Sequence, residues 1–94
     1  MPDRQAQLFK RGTNFLKDGN VAAARLMLQS LADAGNAQAA LLLGATYDPL
    51  MLADLGVRGL KPDPEAARTW YRRAQEYGSG EAPGRIEQLA HMDK

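Results

Sequence analysis

The chain has 94 residues, 45% hydrophobic and 24% charged, with a net charge of +1 and no cysteine. That size and balance fit one folded domain, 1–94, able to bury only about two-thirds of its unfolded surface. The near-neutral charge gives no global attraction to nucleic acid or acidic lipid, and the missing cysteines exclude disulfides, thiol nucleophiles and thiolate metal sites.

No run approaches the roughly 18 apolar residues of a membrane span, and residues 1–10 lack a signal-peptide core. Membrane insertion of this domain is therefore not expected. Cytoplasm, or excision from an envelope protein, both remain compatible with the sequence.

Breaker clusters at Asp18-Gly19-Asn20, Gly35-Asn36, Asp48-Pro49, Lys61-Pro62-Asp63-Pro64 and Gly78-Ser79-Gly80 divide the chain. Between them apolar residues recur at helical spacing, and valine and isoleucine are scarce, which argues against strands. The expectation is all-α, with five helices near 4–18, 20–34, 36–47, 63–77 and 80–91.

The first helix carries Leu8, Phe9, Gly12 and Phe15 on its apolar side, and Gly35 closes the second in left-handed geometry. Pro49 disfavours helix at Asp48, so the third helix should stop there. The stretch 48–62 is long for a connection and carries Leu50, Met51, Leu52, Leu55, Val57 and Leu60. Leu50 to Leu55 has room for a short extra helix. Its apolar side chains either pack onto the domain or are offered to a partner.

Asp63 caps the fourth helix, with Pro64 at its first position and Glu65 favourable in its first turn. Positions 66, 67, 70, 71, 74 and 77 form its apolar stripe, and Gly78 ends it. In the fifth helix Pro83 falls within the first turn after a Ser79 or Gly80 cap.

Two segments share one grammar. At an offset of 43, Ala23, Ala24, Arg25 and Gly35 meet Ala66, Ala67, Arg68 and Gly78, and Met27-Leu28 meets Trp70-Tyr71. At an offset of 32, Leu8, Phe9, Gly12 and Phe15 meet Ala40, Leu41, Gly44 and Tyr47. A mid-helix glycine costs about 1 kcal/mol relative to alanine, so two at matched positions point to close helix approach. The pattern is a doubled helix-turn-helix unit, about 4–35 and 36–78, plus a final helix at about 80–91. Internal repeats of this size indicate an α-solenoid.

Gly44-x-x-Tyr47, Gly56-Val57 and Asp63-x-x-Ala66-x-x-x-Trp70-Tyr71-x-x-Ala74-x-x-x-Gly78 together resemble a Sel1-like repeat, a relative of the tetratricopeptide (TPR) repeats. Residues 6–35 resemble a more ordinary TPR unit. Three departures stand out: Arg11 before the first glycine, the long 48–62 connection, and Glu87 and Ala90 in place of the last helix's glycine and tyrosine. The last reads as a polar cap on the stack.

The resemblance implies a scaffold without catalytic residues, commonly part of a longer bacterial array, that binds protein or peptide along a concave groove. Family geometry would turn Phe9, Thr13, Leu16 and Lys17 of the first helix, and Gln38, Leu41 and Ala45 of the third, into that groove. Its ligand would be an amphipathic helix or extended peptide. A weak homodimer through the apolar 48–62 connection is the alternative.

Competing chemistries have thinner support. Trp70 and Tyr71 with Arg68, Arg72 and Arg73 read as a stacking platform for single-stranded nucleic acid only until they are matched to Met27-Leu28, which fill a helix interface and cannot stack. No nucleic-acid partner is expected. His91 stands alone with Glu87 one turn before it, too few ligands for a metal and no basis for a nucleophilic triad. Gly78-Ser79-Gly80 lacks the lysine and preceding strand of a phosphate loop, and the carboxylates form no pair for acid–base work. The expectation is no enzyme, no metal and no cofactor.

Overall fold

Short polar side chains set where the helices begin. In a computed structural model describing residues 3–56 and 59–92, Asp3, Asn20, Asn36, Asp48 and Asp63 each accept a hydrogen bond from a backbone N–H two or three residues further on. Each satisfies a donor that the first helical turn leaves without a partner. The helices they start are α1 (Arg4–Lys17), α2 (Val21–Asp33), α3 (Ala37–Ala45), α4 (Pro49–Asp54) and α5 (Pro64–Glu76), followed by α6 (Ala82–Met92). Among the described residues the chain is all-helical, and no helix is long and apolar enough to cross a membrane.

Successive helices pack on one another: α1 on α2, α2 on α3, α3 on α5, and α5 on α6. The product is a slab measuring 47 × 30 × 16 Å. Its interior holds Leu28, Leu31, Leu43, Tyr71 and Leu89 among many alanines, including Ala24, Ala32, Ala39, Ala40, Ala67, Ala74 and Ala82. Small residues let the helix backbones approach closely, so little volume has to be filled between them.

The two helical glycines are the tightest points. A Cβ built on Gly12 would lie 3.2 Å from Cδ2 of Leu28, and one on Gly44 would lie 2.6 Å from the ring of Tyr71. Leu28 and Tyr71 are the residues that the sequence matches to each other, as are Gly12 and Gly44. Each glycine thus receives the corresponding bulky side chain of the following long helix.

Several boundaries differ from expectation. α3 ends at Ala45, earlier than residue 47, because Thr46 bonds back onto it, its hydroxyl donating to the Leu43 carbonyl at 2.6 Å. Pro49 opens α4 rather than only closing α3, with Asp48 as the cap. The 48–62 connection therefore contains a helix whose Leu52 is buried, while Leu50 and Leu55 are each 40% exposed. Val57, part of both the apolar series and the family pattern, lies outside the described residues. The ends of the connection are held together where the Asp63 N–H donates to the Tyr47 carbonyl at 2.8 Å.

The apolar stripe of α5 is narrower than 66–77. Ala67, Tyr71 and Ala74 are buried, Trp70 is only half-buried with the Arg73 guanidinium 4.8 Å from its ring centre, and Tyr77 is exposed. Tyr71, not Trp70, is the core aromatic, because α3 meets α5 along the 67–71–74 line. Arg73 also reaches Asp33 of α2 at 3.3 Å, and Arg68 pairs with Glu65, three residues before it on the helix, at 2.8 Å.

Gly44→Ala should cost roughly 1–3 kcal/mol in chemical denaturation, because the new methyl overlaps a ring with no room to move. Gly12→Ala should stay within about 1 kcal/mol of the parent, since the gain in helix propensity offsets a small shift of the Leu28 side chain. Equal costs at the two positions would contradict the packing described.

Candidate functional site

α1, α3, α4 and α6 share one open face of the slab, and three hollows run along it. The first, of about 210 Å³, is lined by Phe9, Gln38, Leu41, Leu42 and Arg85. The second, of about 370 Å³, lies between Thr13, Leu16 and Lys17 of α1 and Asp54 and Leu55 at the end of α4, with Leu42 at its base. The third, of about 590 Å³, separates α4 from α6 and is bordered by Leu50, Met51, Asp54, Glu81 and Arg85. Leu42, Asp54 and Arg85 each line two of the three, so the hollows adjoin one another as a groove along this face.

Six of the seven residues implied by the family geometry meet there: Phe9, Gln38 and Leu41 in the first hollow, Thr13, Leu16 and Lys17 in the second. Ala45 does not. It is completely buried, because α3 is nearly surrounded by neighbours and its last turn points inward. Leu42 takes its place on the groove floor.

Sequence reasoning also missed Asp54, Leu55 and Arg85. The α4 pair was hidden by the irregular spacing of the 48–62 stretch. Arg85 had a usable signal: carrying the offset of 43 from Gly44 to Glu87 sets Arg85 at the position of Leu42.

A buried polar assembly holds this face in place. The Tyr71 hydroxyl donates to Oδ2 of Asp48 at 2.6 Å, while Oδ1 of the same carboxylate accepts from the Leu50 N–H at 2.9 Å. Asp48 is 1% exposed, so both oxygens need the donors they have. Burial raises the Tyr71 hydroxyl well above its ordinary ionisation range, and the hydrogen bond and charge of Asp48 raise it further, with Arg85 opposing in part. The Arg85 guanidinium sits 5.8 Å from the Tyr71 ring centre and pairs with Glu81 at 3.4 Å. One carboxylate thereby joins the start of α4 to α5, and the same tyrosine reaches the groove through Arg85.

On the opposite edge Arg25 of α2 closes the end of α3. Its Nη2 donates to the Thr46 carbonyl at 2.6 Å, its Nε to the Thr46 hydroxyl at 3.1 Å, and its guanidinium stacks 3.9 Å from the Tyr47 ring centre. The half-buried guanidinium satisfies one carbonyl, that of Thr46, which the helix end otherwise leaves open.

Elsewhere the other candidates stay apart. His91 and Glu87 are both exposed, 3.8 Å from each other, and no group of three metal-binding side chains occurs among the described residues. The Gly78-Ser79-Gly80 stretch is a turn, its Ser79 N–H donating to the Ala74 carbonyl at 2.9 Å. Comparison with protein-family models, with curated proteins and with solved structures gives no match to this chain.

Tyr71→Phe should destabilise the domain by roughly 1–3 kcal/mol at neutral pH, since a buried Asp48 oxygen loses its donor. An unfolded tyrosine ionises near pH ~10, whereas the folded one keeps its proton to higher pH, so unfolding releases a proton in that window. Stability from this group is complete below pH ~10 and falls as pH rises beyond it. The gap between parent and variant in alkaline denaturation curves should therefore shrink with rising pH; a constant gap would rule out the raised ionisation.

Proposed function

We propose that this domain is a non-enzymatic interaction module, a short α-solenoid of the Sel1-like and TPR kind, that takes an amphipathic helix of another protein into its open groove. The observation that carries the reading is that three hollows adjoin along one face, sharing Leu42, Asp54 and Arg85. Phe9, Leu41, Leu42 and Leu16 supply apolar floor, and Lys17, Asp54 and Arg85 supply charges at its edges. That combination suits helix-in-groove recognition, in which apolar anchors give affinity and rim charges give orientation.

The sequence equivalence supports the repeat reading, as does the recurrence of one contact, Gly12 with Leu28 and Gly44 with Tyr71. A second reading, self-association through the 48–62 connection, is favoured by the exposure of Leu50 and Leu55 at 40% each. Sedimentation across a concentration series separates the two, because only self-association makes mass rise with concentration.

Selection of a displayed helical-peptide library on the purified protein tests the groove directly. Binders should emerge whose affinity falls at least roughly tenfold on Leu41→Gln, the loss expected of a central apolar anchor, with the melting temperature changed by only a few degrees. Binders indifferent to Leu41→Gln and Phe9→Ser would place recognition elsewhere, first on the arginine face of α5 at Arg68, Arg72 and Arg73.

A further inference from the structure

The fourteen residues of α1 include Arg4, Lys10, Arg11 and Lys17 and no carboxylate. All four cations are exposed, and none forms an ion pair among the described residues. Most arginines of the other helices are engaged, Arg72 of α5 being the exposed exception. Arg25 holds Thr46, Arg68 pairs with Glu65, Arg73 with Asp33, and Arg85 with Glu81. Arg4 even stands in the first turn, where the positive end of the helix dipole disfavours a cation. Lys17, in the last turn, complements the helix dipole, but Arg4, Lys10 and Arg11 have no such role.

The four fall into two rows. Arg4 and Arg11 are seven residues apart, and so are Lys10 and Lys17, which puts the members of each row about 10.5 Å apart on an α-helix. Lys17 lines the groove beside Thr13 and Leu16. Lys10 lies on the same side of α1 as Lys17 and, with Arg4, Gln7, Leu8, Arg11 and Asn14, borders a hollow of about 530 Å³ on the outer side of α1. Lys17 is the α1 cation that lines the groove itself, while Asp54 and Glu81 stand on the α4 and α6 side together with Arg85.

The geometry points to an acidic amphipathic helix of another protein as the occupant of the groove, its apolar face on Phe9, Leu41 and Leu42 and carboxylates seven residues apart on Lys10 and Lys17. This rests on the groove reading given above. A nucleic acid fits less well: the cations flank an apolar floor, the exposed aromatic Tyr77 lies on α5, and the whole chain carries only +1.

The test uses two synthetic fluorescent helical peptides with the same leucine face, one bearing glutamates at seven-residue spacing on one flank and the other lysines there. A single-stranded oligonucleotide serves as the polyanion control. At low salt the glutamate peptide should bind roughly tenfold more tightly, and the gap should close toward ~0.3 M salt as the exposed pairs are screened. Lys10→Glu with Lys17→Glu should invert the preference at an unchanged melting temperature, and Arg72→Glu, an exposed charge on α5, should leave it intact. Equal affinities for both peptides, each lost on Leu41→Gln, would overturn the charge assignment while the groove stands. Binding of neither peptide would remove the groove reading along with it. Oligonucleotide binding tighter than that of the glutamate peptide would replace the acidic helix with nucleic acid.

Discussion

The ring of Tyr71 lies where a side chain on α3 would otherwise be, and the rest of the domain is arranged around that contact. Gly44 leaves the space, and Ala67 and Ala74 flank the ring along α5 without adding bulk. A tyrosine so placed carries its hydroxyl into an apolar interior, which costs free energy unless the hydroxyl finds a partner. Asp48 is that partner, and its second oxygen starts α4. The close approach of α3 and α5 thus fixes where the connection between them turns. It also fixes which side of the connection faces the groove.

The same economy explains the open face. A core built largely of alanine brings helices together but leaves each with little width to bury. The slab is only 16 Å in its shortest dimension, so the far sides of α1 and α3 keep Phe9, Leu16, Leu41 and Leu42 at the surface of a groove rather than inside. α4 covers part of that apolar area with Leu55 and Asp54 and stops there. A larger core would have consumed these residues. Here they stay on the open face.

Charge is distributed with a related asymmetry. Arg25, Arg73 and Arg85 act within the molecule, closing a helix end at Thr46, tying α5 to α2 through Asp33, or leaning on Trp70 and Tyr71. Those pairs fix local geometry more than they add stability, since exposed ion pairs contribute little. The cations of α1 make no ion pair among the described residues; Lys17 lines the groove, and Arg4, Lys10 and Arg11 border the hollow on the outer side of the helix.

Helix content, turns and close approaches were legible in the sequence because each depends on local chemistry. Aspartate and asparagine caps, the Pro64 start, left-handed Gly35 and Gly78, and the paired Gly12 and Gly44 signal themselves within a few residues. Most groove residues of α1 and α3 follow from what the family resemblance implies, not from helical spacing alone. Tertiary structure alone decided the rest. In the unbroken apolar run from Ala39 to Leu43 periodicity cannot say which leucine faces out, and only the position of α5 against α3 buries Leu43 and Ala45 while leaving Leu41 and Leu42 on the floor. The same crossing chose Tyr71 over its neighbour Trp70. Arg85 shares a hollow with Leu42 of α3 because α6 packs on α5, and only the repeat offset, not any local pattern, hints at that placement. Local sequence determines where helices begin and end; which of their faces are covered depends on how they cross, and that is a property of the whole chain.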